Sequence, residues 1–121
     1  MSQEKRTSLN FSVALGGQTV QQIVQLSEDL VGSKLGGVRQ TLATGGWTAL
    51  NLGAVATADL LCVVNDDAAN FVQLAIDNAG AKIFAKLTPG RCAFFPPDPT
   101  ATIYGKPDTA NCVVKVTAVE A

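Results

Sequence analysis

The strongest constraint on the fold is a rhythm: short runs in which apolar and polar residues alternate, each stopped by glycine, proline or an Asn/Asp cluster. A period of two is that of a strand, whose successive side chains point to opposite faces, and it is incompatible with the 3.6-residue period of a helix. In the second half, residues 60–65 form a run apolar on both faces, as in a strand buried in the middle of a two-layer structure. The stretch 65–70, Asn-Asp-Asp-Ala-Ala-Asn, then supplies turn chemistry, because Asn and Asp side chains bond their own backbone. Residues 71–77 place Val72, Leu74 and Ile76 on one face, and residues 81–87 place Ile83, Ala85 and Leu87 on one face. Pro89-Gly90 fits the centre of a type II turn. A strand is expected from Arg91 to Phe95, ended by Pro96-Pro97-Asp98-Pro99, and a short one at 102–104 before Gly105-Lys106-Pro107-Asp108. The last, 111–119, alternates Cys112, Val114, Val116 and Ala118 against Val113, Lys115, Thr117 and Val119.

The first half continues the pattern. Residues 9–15 alternate and stop at Gly16-Gly17. Residues 19–31 fit helical spacing through Val20, Ile23, Val24, Leu30 and Val31, and strand spacing through Val20, Gln22, Val24 and Leu26. The flanking glycine pairs and the β-branched residues favour the strand. Further strands are expected at 38–44 and 47–52. Eight or so short antiparallel strands require two stacked sheets or a closed barrel, since one open sheet leaves a face and two edges bare. The expectation is an all-β, jelly-roll-like antiparallel β-sandwich of about eight strands spanning 9–121, preceded by a polar N-terminal arm, 1–8. An immunoglobulin-like sandwich is less suited, because Trp47 has no cysteine pair around it.

Composition argues against catalysis. The 121 residues contain no histidine, which removes the commonest general acid or base and the commonest metal ligand. No enzymatic activity, cofactor, metal or small-molecule substrate is expected. Cys62, Cys92 and Cys112 lack Cys-x-x-Cys spacing and sit in apolar runs, so they read as free, core-filling thiols. A net charge of −1 gives no basic stripe for nucleic acid. Apolar runs are far shorter than the about 20 residues of a membrane helix. The polar N-terminus lacks the apolar core of a secretory signal, which implies a chain made in the cytoplasm.

Charged residues are 16% of the chain, below the roughly 25% of ordinary domains, which suits a subunit covered by partners. In such a subunit the arm can order on a neighbour, and Gln3, Glu4, Lys5 and Arg6 are the candidate partner-binding residues. Other candidates compete with simpler explanations. Asp66, Asp67 and Asn70 could ligate calcium but lack EF-hand spacing and fit a hairpin loop better. Glu28-Asp29 with Asp59 or Asp77 shows no spacing that would define a carboxylate pair. The pairs Gly16-Gly17, Gly36-Gly37 and Gly45-Gly46 lack a phosphate loop's Lys-Ser/Thr ending. Phe94, Phe95 and Tyr104 could stack on a sugar ring, though core and edge packing accounts for them better.

The order Leu30-Val31-Gly32-Ser33, Gln40-Thr41-Leu42, Ala49-Leu50-Asn51-Leu52-Gly53 and Asn65-Asp66-Asp67-Ala68-Ala69-Asn70-Phe71-Val72-Gln73-Leu74 resembles the small all-β virion proteins of tailed bacteriophages. So does the ending, from Leu87-Thr88-Pro89-Gly90 through Phe94-Phe95 to Ala110-Asn111-Cys112-Val113-Val114-Lys115-Val116. The resemblance runs from about residue 18 onward. It implies a capsid cement or decoration protein of the virion, a dimer or trimer that sits over joints between major capsid subunits and holds the expanded head. A tail or fibre component and a carbohydrate-binding module are the alternatives.

Overall fold

The computed structural model describes residues 4–29, 34–98 and 100–120. Gln3, Pro99 and the Leu30-Val31-Gly32-Ser33 stretch lie outside the described residues. The chain divides into two compact units, Met1–Val31 and Gly32–Ala121. Among the described residues the regular elements are ten β-strands, and each strand pairing is antiparallel. The all-β, antiparallel expectation is borne out; the count is ten where about eight were expected.

The first unit is a ribbon of two twelve-residue strands, β1 (Glu4–Leu15) and β2 (Gln18–Asp29). Their register runs without a slip from Leu15↔Gln18 to Glu4↔Asp29. Gly16 and Gly17, with φ of 58° and 81°, make the two-residue connection. Positive φ at both positions is the type I′ geometry, whose twist matches that of the flanking strands. β1 passes through residue 8, where the sequence suggested the end of an arm, because a strand's extent is set by the partner that takes its hydrogen bonds. Of the ambiguous stretch 19–31, the described residues, 19–29, are strand for the same reason, with β1 supplying the partner for β2.

The second unit holds eight strands: β3 (Leu35–Leu42), β4 (Thr48–Ala49), β5 (Ala58–Asn65), β6 (Val72–Ala75), β7 (Ile83–Leu87), β8 (Cys92–Phe95), β9 (Tyr104–Pro107) and β10 (Cys112–Glu120). They form two four-stranded sheets, ordered β3-β10-β5-β8 and β4-β9-β6-β7. The pairings nest: β3 with β10, β4 with β9, β5 with β8, β6 with β7. Two further pairings, β10 with β5 and β9 with β6, complete the sheets.

One core joins the two sheets. Leu42, Leu61, Val63, Val114 and Val116 enter it from one sheet, and Val72, Leu74 and Leu87 from the other. β10 shows how alternation does this, since Cys112, Val114, Val116 and Ala118 are buried while Lys115 and Thr117 are exposed. Sequence and structure part at β9, which includes Gly105, Lys106 and Pro107. Pro107 is tolerated because β4 pairs only with Tyr104 and Gly105, so the missing N–H has no strand on that side to serve. β4 itself keeps two residues of the expected six. The loop between β6 and β7 depends on Gly80, with φ of 71°, where a Cβ would overlap the Trp47 indole.

Candidate functional site

In an antiparallel pair, directly opposed residues share a face. The register of the ribbon therefore sorts its side chains. One face carries Leu9, Phe11, Val13 and Leu15 from β1 with Val20, Val24 and Leu26 from β2, interrupted only by Thr7, Gln18 and Gln22. The other face carries Arg6, Ser8, Asn10, Ser12, Gln21, Gln25 and Ser27, with Ile23 as its one large apolar residue. Gln21 Nε2 donates to Asn10 Oδ1 at 3.5 Å on that polar side. The apolar face is exposed, with Phe11 at 60% and Leu15 at 80%. Residues 7–27 contain no charged side chain. A two-stranded hairpin alone is at best marginally stable in water, and an exposed apolar face of this length is unusual on a monomer.

Of the four candidate partner-binding residues, Glu4, Lys5 and Arg6 fall at the far end of this ribbon from its turn, and Gln3 lies outside the described residues. Glu4 and Lys5 begin β1, opposite Asp29 and Glu28, and Arg6 follows opposite Ser27, exposed. They belong to a paired strand where a free polar arm was expected. The larger feature, the apolar face, was visible in the alternation of residues 9–15 and 20–26, but no sequence signal stated which face would remain open.

In the second unit the acidic turn is a closed polar knot. Asn65 is buried at 1% exposure, and each polar group of its side chain is used. Its Nδ2 donates to the carbonyls of Asn70 at 2.9 Å and Leu87 at 2.8 Å, while Oδ1 accepts from the Asp67 N–H at 2.9 Å. Asp67 Oδ2 accepts from the backbone N–H of Asn70 at 2.7 Å and of Ala69 at 3.0 Å, and these bonds hold its carboxyl below the ordinary range. Asp66 pairs with Arg39 at 3.1 Å. The loop thus spends these oxygens on its own shape, and among the described residues no three Cys, Asp or Glu side chains gather as metal ligands. Asp77, weighed as half of a carboxylate pair, closes the β6–β7 loop by accepting from the N–H groups of Ala81 at 3.1 Å and Lys82 at 3.2 Å.

The aromatic residues do not gather into one platform. Phe94 and Phe95 are neighbours on β8 and so point to opposite faces, and Tyr104 lies in the other sheet. Phe95 meets Phe84 edge to face at 5.4 Å, beside an apolar groove of about 360 Å³ bordered by Ile76, Pro97 and Ile103. The cysteines divide: Cys112 is buried as expected, Cys62 is half-buried and Cys92 is exposed. Burial pushes the Cys62 thiol up, with Cys92 adding to it and Lys115 opposing, and burial also raises Cys112. Neither is poised as a thiolate nucleophile.

Comparison with protein-family models, curated proteins and solved structures found no match. Among the described residues, no helix is long and apolar enough to cross a membrane.

Proposed function

We propose that the chain is a bacteriophage virion structural protein, and within that class a capsid cement or decoration protein that stabilises the expanded head by bridging major capsid subunits. The observation that carries this reading is the ribbon's long, one-sided apolar face, uncharged over residues 7–27, in the same chain as a two-layer β unit. The strand order supports reading that unit as a jelly roll. A nested hairpin four pairs deep, rolled so that alternate pairs fall in opposite layers, produces β3-β10-β5-β8 over β4-β9-β6-β7.

The mechanism is mass action on a lattice. A body that binds the expanded shell and not its precursor stabilises the expanded state by RT ln(1 + [L]/Kd), about 2.7 kcal/mol per site at 100 Kd. The partners are the major capsid protein and further copies of this chain, and the place of action is the virion, after synthesis in the host cytoplasm.

The test is to mix purified protein with emptied expanded heads, unexpanded heads and tails, and to measure bound copies per particle by sedimentation and gel densitometry. Saturable, stoichiometric binding to expanded heads is expected, with a raised melting temperature of the shells. Binding confined to tails moves the assignment to a tail or fibre component. Binding to no particle overturns the virion reading.

A further inference from the structure

We infer that the apolar face of the β1–β2 ribbon is a homodimer interface, packed face to face on the same face of a second copy of this chain. The inference deepens the virion reading by assigning a partner to the ribbon, and its test needs no particle, so the two can fail separately.

Three observations select a second copy. The first is area. The exposed fractions of Leu9, Phe11, Val13, Leu15, Val20, Val24 and Leu26 together leave on the order of 700 Å² of surface. That exceeds the roughly 300–600 Å² of the largest patch on an ordinary monomer. Two such faces, fully covered, remove on the order of 1,400 Å², inside the roughly 1,200–2,000 Å² of stable specific interfaces. The second is charge. Because residues 7–27 carry none, a copy meets that stretch of its own face with no like-charge repulsion, whereas a partner recognised by charge finds nothing to read there. The third is shape. The face is an unslipped two-stranded surface twelve residues long, and β-surfaces stack about 10 Å apart. Stacking two ribbons makes four strands around one apolar layer, which supplies what an isolated hairpin lacks. Thr7, Gln18 and Gln22 lie among the apolar residues, with Gln22 opposite Phe11 at mid-length.

The experiment measures the mass of the full chain by light scattering and sedimentation velocity from micromolar to hundred-micromolar concentration. Twice the chain mass is expected. Phe11→Glu/Val20→Glu, which places two charges on the face, is expected to give a monomer and to raise the dimer dissociation constant at least a hundredfold. Gln22→Glu, which keeps size and adds only a charge at mid-face, acts in the same direction by at least tenfold. Ser12→Glu/Gln21→Glu, an opposed pair on the polar face, leaves the dimer constant within about threefold. Fluorescence of Trp47 verifies that the second unit remains folded in each variant, and if the double variant fails that check, Gln22→Glu carries the decision. A monomeric wild type, a trimer or higher assembly, or a dimer indifferent to Gln22→Glu overturns the inference.

Discussion

The ribbon and the eight-stranded unit are made of the same alternating β sequence, yet alternation ends in burial in one and exposure in the other. In β10 the inward residues Val114 and Val116 are 0% and 1% exposed; in β1 the equivalent row, Leu9, Phe11, Val13 and Leu15, ranges from 41% to 80%. The difference teaches that a period of two specifies a strand and its two faces but says nothing of what lies against the apolar one. The second unit answers from within, because two sheets present apolar faces to a common core. The ribbon leaves its apolar row exposed, and the homodimer proposed above is one way to cover it.

The comparison is broken most directly by removing side chains from each region. Leu74→Ala, at 0% exposure in the shared core, should destabilise the second unit by about 2–5 kcal/mol, read from urea unfolding followed by Trp47 fluorescence. Phe11→Ala, the larger deletion by volume, should change that same transition by less than about 0.5 kcal/mol, since it leaves no cavity in a core. Equal losses would mean that the two regions unfold as one.

A somewhat smaller effect sharpens the contrast between polar groups. Asn65→Leu should cost about 2–4 kcal/mol, because the carbonyls of Asn70 and Leu87 and the N–H of Asp67 lose their partners inside the protein. Asn10→Leu on the ribbon's polar side should cost nothing measurable by the same denaturation curve, its one side-chain bond being long and exposed.

Next comes the turn of the ribbon. Gly17→Val should cost about 1–2 kcal/mol locally, since a β-branched residue is strained at a φ of 81°. Amide hydrogen exchange should accelerate across β1 and β2 and remain unchanged in β5 and β10. Acid should separate the regions more gently. Bonds from backbone and side-chain donors hold the Asp67 and Asp98 carboxyls below the ordinary range. Groups depressed on folding contribute fully above the usual carboxylate pKa and lose that contribution as pH falls through the lowered value. The second unit should therefore be flat in stability near neutrality and weaken on acidification, and Asp67→Asn should flatten the acid limb of a melting temperature against pH plot. The smallest effect is expected from Arg39→Ala, under about 0.5 kcal/mol, because its pair with Asp66 is exposed on both sides.

Most strands of the second unit were legible wherever both period and punctuation were present, as in β5 and β10. What escaped was set by partners distant in sequence. Pro107 looks like a strand terminator, and only the shortness of β4 makes it admissible. Asn65 reads as one more turn residue, and its role becomes apparent when the carbonyl of Leu87, twenty-two residues away, lies 2.8 Å from its amide. The polar start of β1 looked like a loose arm because side-chain polarity conceals a backbone that β2 can pair. The apolar face of the ribbon was readable as a row of residues, but its exposure was not, since exposure is a property of what does not come to cover it.

β10 lies between β3 and β5 and is the last strand of its sheet in chain order. During synthesis on the ribosome, β3 and β5 must wait with bare hydrogen-bonding edges until residues 112–120 have emerged, so the sheet closes only after its other three strands are already out. That delay exposes the nascent polypeptide to strand exchange with its neighbours on a polysome, and any change that slows β10 lengthens the hazard.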